Sequence, residues 1–118
     1  MTDDQQIHSI ALDYIEGWYT ADGSRMDRAL SLHLAKRRIV SNDEIWHVDK
    51  SWMIKATGDG RGKIEDPNKG KKDISVLDRT TTMASVKIVS EKFIDYLHLS
   101  KINGSWSIVN ALWDYVEE

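Results

Sequence analysis

The sequence contains no cysteine, which excludes disulfide bonds and thiolate chemistry. Its 118 residues include one proline and no apolar run approaching the ~20 residues that a membrane-spanning helix needs. The first ten residues are acidic and lack the basic start and apolar core of a signal peptide. We therefore expect a cytoplasmic protein that works in a reducing compartment and does not associate with membranes.

An excess of positive charge is also missing, because 16 basic residues face 19 acidic ones for a net charge of −3. Basic residues gather between Arg61 and Lys72, but Glu65 and Asp66 interrupt them. We therefore expect a solvated loop there and no nucleic-acid partner. Residues 58–72 hold four of the seven glycines and the only proline, which predicts one mobile loop. Its GDGRGK glycines follow no hydrophobic strand, so a phosphate cradle is not expected.

Metal-ligand spacing is absent as well. No two of the four histidines lie two to four residues apart, and no carboxylate–histidine spacing stands out, so no metal is expected. The serines lack the G-x-S-x-G context of a nucleophile elbow. We therefore predict a protein that uses neither a metal nor a cofactor. Of the four histidines, His8 and His47 are expected at the surface or at an edge. The other two are His33 and His98.

Helical periodicity marks the N-terminal part of the chain. Asp3 and Asp4 place negative charge at a helix start, and a helix is predicted from about residue 3 to 20. A break at residues 22–24 then caps a second helix. The apolar stripe of the first helix is Ile7, Ala11, Tyr14 and Trp18, and the shared face of the second is Met26, Ala29, Leu30 and His33.

The rest of the chain favours strands, interrupted by one short helix. Short strands are predicted at 38–40 and 44–48, a helix at 50–57, and longer strands at 73–78, 83–102 and 106–116. The second long strand is expected to bend at Ser90-Glu91. This order predicts an α+β fold in which helices cover one face of a curved antiparallel sheet.

The last third of the chain reads as a hairpin around Asn103-Gly104, a pair that suits a type I′ turn because both residues tolerate positive φ. Ile102 is then opposite Ser105. Counting back from this turn predicts the pairs His98–Val109, Tyr96–Ala111 and Ile94–Trp113 on one face. The other face would carry Phe93, Leu97, Leu99, Ile108 and Leu112.

Three segments carry a family resemblance: YIEGWYTADGSRMDRAL, the GRGK loop and SEKFIDYLHLSKINGSWSIVNALWDY. They resemble the nuclear-transport-factor-2-like (NTF2-like) superfamily, which includes ketosteroid isomerases and SnoaL-type cyclases. The last segment is most similar to the branch labelled "putative lumazine-binding". The resemblance implies one NTF2-like domain over residues 1–118, with the cone shape and cystatin-like topology of that superfamily.

The resemblance also implies a deep pocket between helices and sheet, and a homodimer formed through the outer face of the sheet. The expected ligand is a small apolar or aromatic molecule. The residues expected to line the pocket are Tyr14, Trp18, His33, Trp52, Met53, Tyr96, His98, Val109 and Trp113. The residues expected at the dimer interface are Phe93, Leu97, Leu99, Trp106 and Ile108.

Catalytic candidates follow from the same resemblance. Tyr14 corresponds to the tyrosine that donates to an oxyanion in steroid isomerases, and it can equally be a core tyrosine. His98 falls near the second oxyanion donor and can exchange a proton near neutral pH, or it can be structural. Asp43 and His47 do not match the isomerase base, so steroid isomerisation itself is not expected.

Asp95 and Asn110 are expected on the outward face, unless the bend near Ser90 turns Asp95 into the pocket. Three functions remain open from the sequence. The first is a small-molecule-binding protein, the second an isomerase, cyclase or dehydratase that uses acid–base catalysis, and the third a dimeric interaction module with a filled pocket.

Overall fold

A computed structural model describes residues 1–117. Two helices, two strands and a third helix form the first half, and four strands form most of the second half. The helices are α1 (Asp3–Thr20), α2 (Gly23–Ala29) and α3 (Lys50–Gly58), with one 3₁₀ turn at Pro67–Lys69. The strands are β1 (Leu30–Ser41), β2 (Glu44–Val48), β3 (Lys72–Arg79), β4 (Met83–Ser90), β5 (Phe93–Ile102) and β6 (Ser105–Tyr115).

The α1 helix begins with a capping box. The Thr2 hydroxyl accepts from the Gln5 backbone N–H, and the Gln5 side chain accepts from the Thr2 backbone N–H. The helix ends at Thr20, because the next residue, Ala21, has a φ of 57° that stops helical propagation. The predicted stripe faces the sheet, with Ile7 and Ala11 fully buried. The helix therefore supplies the lid over the concave side of the sheet.

The six strands form one curved sheet in the order β2-β1-β6-β5-β4-β3. All neighbouring strands are antiparallel except β1 and β6, which run parallel. The predicted α+β architecture, in which helices cover one face of a curved sheet, is confirmed, and the parallel β1–β6 pair makes the sheet mixed and not wholly antiparallel as expected. Because β1 lies beside β6, residues from the N-terminal half meet the C-terminal hairpin.

The start of β1 differs from the prediction. The second helix ends at Ala29, and the strand begins at Leu30 and runs to Ser41, not only over 38–40. His33 therefore lies on a strand and is exposed, not on a helix face above the pocket. The interval Leu30 to Leu34 contains helix-compatible residues, so local periodicity favoured a helix where pairing with β6 imposes a strand.

The C-terminal hairpin has the predicted turn, with Asn103 at φ 52° and Gly104 at φ 80°, and Ile102 pairs with Ser105. The register then shifts by one residue between His98 and Leu99, because Val109 is extra on β6. Beyond this bulge the pairs are Leu97–Ala111, Asp95–Trp113 and Phe93–Tyr115. The predicted pairs therefore hold only up to the bulge.

The predicted faces were inverted along β5 and along β6 before the bulge, whereas beyond it Ala111 and Trp113 face inward as predicted. Residues placed at the dimer interface face the protein's own interior, because Leu97, Leu99 and Ile108 are at most 1% exposed. Trp106 is also buried, and its indole N–H donates to Asp3 of α1 at 3.0 Å. Tyr96 and His98 lie on the outer face and are exposed. Both faces are largely apolar, so the sequence alternation alone did not distinguish inside from outside.

The predicted bend at Ser90-Glu91 is a tight connection between two strands. β4 ends at Ser90, and β5 begins at Phe93 and returns antiparallel to β4. The Ser90 hydroxyl closes the turn by donating to the Phe93 carbonyl at 3.1 Å. Segment 83–102 is therefore a hairpin and not one bent strand.

Candidate functional site

A cavity of about 440 Å³ opens between α1, α3 and the concave side of the sheet. Its size falls within the range of about 300–1,000 Å³ that small-molecule sites occupy. It is lined by aromatic, aliphatic and a few charged side chains. The lining residues are Tyr14, Ile15, Trp18, Lys36, Arg38, Val40, Trp46, Trp52, Met53, Arg61, Phe93, Asp95, Trp113 and Tyr115.

Three polar side chains meet at the floor of the cavity, each from a different element. The Tyr14 hydroxyl on α1 donates to Asp95 Oδ1 on β5 at 2.9 Å. Lys36 Nζ on β1 donates to the Tyr14 hydroxyl at 2.5 Å and lies 3.8 Å from Asp95 Oδ1. All three residues are at most 9% exposed. We call this cluster the floor triad.

Burial governs the ionisation of the floor triad. Burial raises the pKa of Asp95, and the nearby Lys36 charge and the Tyr14 hydrogen bond only partly oppose it. Burial also lowers the pKa of Lys36, although Asp95 opposes that change. Burial and the Asp95 carboxylate together raise the pKa of Tyr14 well above its usual value. The Tyr14 hydroxyl therefore keeps its proton, and burial penalises the charged forms of Asp95 and Lys36 while the attraction between them opposes that penalty.

Aromatic rings form a continuous wall above the floor triad. Trp46 packs edge-to-face on Trp52 with centroids 5.0 Å apart, and on Trp113 at 5.6 Å. Phe93 then contacts Trp113 at 5.1 Å and Tyr115 at 5.6 Å. The Phe93–Tyr115 pair is tilted at 41°, whereas the other three contacts are edge-to-face, a geometry that favours fixed ring orientations. The cavity therefore has a wall suited to packing against a flat ring.

Trp18, whose ring centroid lies 6.5 Å from that of Phe93, is covered by a close backbone approach. A Cβ atom on Gly62 would lie 2.1 Å from Cε2 of Trp18, so the glycine backbone rests directly on the indole. The segment is held at both ends, since Ile64 N–H donates to the Tyr19 carbonyl at 3.3 Å and the Tyr19 hydroxyl donates to the Lys71 carbonyl at 2.7 Å. This region therefore forms a defined cover for Trp18.

Only part of the expected pocket set lines the cavity. Tyr14, Trp18, Trp52, Met53 and Trp113 do so, although a ligand role for each stays a prediction. Four other expected residues lie elsewhere: His33 and His98 are exposed, Tyr96 is 47% exposed on the outer face, and Val109 is the bulge residue. The catalytic pair of Tyr14 and His98 is therefore not assembled, and Asp95 and Lys36 lie beside Tyr14 instead.

Several cavity residues were missed in the sequence. Lys36, Arg38 and Val40 alternate on one face of β1, a period-two signal that a strand starting at residue 30 would have revealed. Phe93 was assigned to the interface and lines the cavity because of the inverted faces. Asp95 points inward because of its place in the register and not because of a bend. No local sequence pattern marked Trp46 or Arg61 as a cavity residue.

The described part of the chain contains neither a metal-binding cluster nor a membrane-spanning helix. Among residues 1–117, no group of three or more His, Cys, Asp or Glu side chains is arranged to hold a metal ion. None of the helices in that range is both long and apolar enough to cross a membrane.

Comparison with protein families gives one match. Residues 2–114 match the family model described as "Putative lumazine-binding". Comparison with curated proteins finds no match.

Solved structures with the same fold are numerous. An NTF-2 like protein of unknown function from Silicibacter pomeroyi superposes with a TM-score of 0.79 at 16% identity, over 98% of this chain and 100% of that one. An NTF2-like protein of unknown function from Shewanella baltica gives 0.72 at 20% identity, over 100% and 99%. A ketosteroid isomerase-like protein from Erwinia carotovora atroseptica gives 0.71 at 11% identity, over 100% of both chains. At these identities the likeness shows the fold alone.

Proposed function

This chain belongs to the family described as "Putative lumazine-binding", within the NTF2-like superfamily, and on that premise we propose that its cavity binds a flat aromatic small molecule. The proposal depends on one observation. The 440 Å³ cavity has a continuous aromatic wall, and only a few of its lining residues carry hydrogen-bonding groups. Sites of this composition bind small molecules by burying apolar area, while a few polar groups set orientation.

The floor triad supplies the polar end of the proposed site. Lys36 and Tyr14 place donors at its base, and Asp95 accepts from Tyr14. A ring carbonyl or hydroxyl that reaches the floor would exchange hydrogen bonds with Lys36 without leaving a buried group unpaired. Lumazine, a flat bicyclic ring with carbonyl groups, is the first compound that the family description suggests for testing.

The proposal is tested by titrating lumazine and a set of bicyclic aromatic ketones while following tryptophan fluorescence, since four tryptophans line the cavity. Val40→Trp is the matching variant, because Val40 lines the cavity and is 41% exposed, which leaves room for a larger side chain at the entrance. Each titration is normalised to the emission of the same protein without ligand, since the variant adds a tryptophan. We expect saturable quenching that Val40→Trp weakens at least about tenfold by blocking entry. Equal quenching in both proteins would refute binding in the cavity.

An acid–base enzyme is the second candidate, and Asp95 favours it. A buried carboxyl with a raised pKa is a suitable proton acceptor for a carbon acid, and Tyr14 and Lys36 would stabilise the developing enolate. No cofactor is part of this candidate. The cluster differs from the sequence prediction, in which Tyr14 would work with His98.

The enzyme candidate is tested by deuterium incorporation into 2-tetralone in D₂O, followed by NMR. Catalysed exchange at the carbon next to the carbonyl, lost in Asp95→Asn with ketone binding retained, would support it. Exchange at the solvent rate in the wild-type protein would leave binding as the only function of the site.

Homodimerisation is also part of the proposal, now through the outer face that the corrected register defines. Tyr96 and Leu112 pair on this face and are 47% and 48% exposed, so apolar area is available there.

The cytoplasmic location expected from the composition is also proposed, and fractionation of cells that express the protein tests that location.

A further inference from the structure

Positive charge is concentrated at the cavity although the chain as a whole is acidic. The lining has three cationic side chains, Lys36, Arg38 and Arg61, and one carboxylate, Asp95. The whole chain has a net charge of −3. The lining therefore has more positive than negative side chains in an otherwise acidic chain, and such a balance in a cleft with apolar walls attracts anions.

The three cations differ in how far the protein already compensates them. Lys36 faces Asp95, and Arg38 Nε donates to Asp114 Oδ1 at 3.0 Å. Arg61 has no carboxylate within ion-pairing distance among residues 1–117. Arg61 is therefore the cation of the cavity whose charge is left for a ligand.

Arg61 is nevertheless held in place. Its guanidinium lies 5.1 Å from the centroid of the Trp52 ring, which restricts the side chain without using its hydrogen-bond donors. Arg38 is held in the same way, 4.7 Å from the Tyr115 centroid. A guanidinium that stacks on a ring keeps its in-plane N–H groups for an oxygen anion.

Depth along β1 separates Arg38 from Lys36 and the floor triad. Lys36, Arg38 and Val40 lie on one face at steps of two residues, or about 6.6 Å each in a strand. Lys36 is buried, Arg38 is half-buried and Val40 is exposed, so the series runs from floor to mouth. Arg61 is exposed and belongs to the mouth.

We propose that the ligand of this cavity is an aromatic anion whose acidic group, a carboxylate or sulfonate-like oxygen anion, is bound at the mouth by Arg61, with Arg38 as the second cation. The inference rests on the proposed aromatic-ligand function and specifies its ligand class. The ring system would lie against the Trp46, Trp52 and Trp113 wall.

Two fluorescent probes test the inference, because they share one ring system and differ in charge. 8-Anilinonaphthalene-1-sulfonate carries a sulfonate, and N-phenyl-1-naphthylamine is the same framework without it. Both are titrated at low salt into the wild-type protein, Arg61→Gln, Arg37→Gln and Val40→Trp. Arg37 is the matched control, since it lies on β1 between Lys36 and Arg38, is exposed and does not line the cavity.

We expect the anionic probe to bind more tightly than the neutral one, and Arg61→Gln to weaken only the anionic probe, by about fivefold for a partly exposed ion pair. Arg37→Gln should change neither affinity. Added salt should weaken the anionic probe alone.

Two other results would overturn the inference, and they are distinguishable. If Val40→Trp blocks both probes but Arg61→Gln changes both affinities equally, the aromatic site is supported, and the proposal that Arg61 binds the acidic group of the ligand is refuted. If neither probe responds to Val40→Trp, the probes bind elsewhere and the proposed function fails together with the inference.

Discussion

At the scale of single residues, the floor triad is a costly arrangement. A lysine and an aspartate are buried together, and the low dielectric around them penalises both charges. Their attraction and the hydrogen bonds through Tyr14 offset that penalty only while both partners are present. A function at this position would explain why the site is not simply apolar, since an apolar replacement of similar volume is often as stable.

The coupling between Lys36 and Asp95 gives a stability prediction. Lys36→Met and Asp95→Asn should each lower the free energy of unfolding by about 3 kcal/mol, because each leaves a polar partner buried alone. The double variant should lose at least about 1 kcal/mol less than the sum of the two single losses. Urea denaturation at pH 7 measures all three values.

Lys55→Met is the control for that cycle, because the Lys55 side chain is 78% exposed and pairs only with Asp59. It should change the free energy of unfolding by less than about 0.5 kcal/mol. Strictly additive losses for Lys36→Met and Asp95→Asn would show that the two groups do not interact in solution.

At the scale of elements, the segment after α3 depends on Gly62. Its backbone lies against the Trp18 indole, and the nearest ring atom would be 2.1 Å from an added Cβ. That distance is far below ordinary van der Waals contact, so even alanine requires the segment or the ring to move.

Gly62→Ala should therefore lower the free energy of unfolding by about 1–3 kcal/mol and change the emission of Trp18. Gly58→Ala is the matched control, because an added Cβ at Gly58 meets nothing within 4 Å. Denaturation curves of both variants measure the difference. Equal stability of Gly62→Ala and Gly58→Ala would contradict the packing of this segment on Trp18.

The joint between α1 and α2 is held by ion pairs around Asp13. Arg25 Nε donates to Asp13 Oδ1 at 3.0 Å, and Arg28 Nε donates to Asp13 Oδ2 at 2.9 Å. Burial acts to raise the pKa of Asp13, but the hydrogen bonds from Arg28 and Arg25 lower it on balance. A carboxylate whose pKa is lower in the folded state stabilises the fold above its unfolded pKa, and this stabilisation is lost as the pH falls through its folded pKa.

Asp13→Asn should accordingly cost about 1–2 kcal/mol at pH 7, because it removes charge-assisted hydrogen bonds whose arginines remain partly in water. The difference from the wild-type protein should shrink from about pH 5 downward, as the wild-type carboxylate becomes protonated. Denaturation at several pH values measures it, with the exposed Asp43→Asn as control. A difference that is constant with pH would exclude the ionic origin.

At the scale of the whole molecule, the prediction concerns assembly. The outer face of the hairpin exposes Tyr96 and Leu112, which are cross-strand partners in the middle of that face. If two copies pair through it, the Tyr96→Arg/Leu112→Arg variant should be monomeric, because four added charges would meet in an apolar contact. Sedimentation velocity over a range of protein concentrations measures the change.

Asn42→Arg, at the exposed turn between β1 and β2, controls for the effect of added charge. It should leave the sedimentation coefficient unchanged. A wild-type protein that sediments as a monomer at every concentration would refute assembly through this face, and the exposed apolar area would then need another partner.

Local chemistry determined much of the fold. The capping residues and apolar stripe set α1, Asp49 begins α3 through its bond to the Trp52 N–H, and Asn103-Gly104 set the C-terminal turn. Each of these features depends on neighbours within a few residues, so each is readable without the tertiary structure. The family resemblance added the cone-shaped sheet and placed Tyr14, Trp18 and Trp113 near one another.

Only the tertiary structure decided which face of the hairpin is inside and which residues meet at the floor. One bulge residue, Val109, changes the pairing of every position beyond it, and no local signal marked it. Lys36 and Asp95 are far apart in sequence and meet because β1 inserts beside β6, a long-range pairing that local propensity does not encode. The chain itself therefore determined the elements and the fold class, whereas strand register and strand order determined the site.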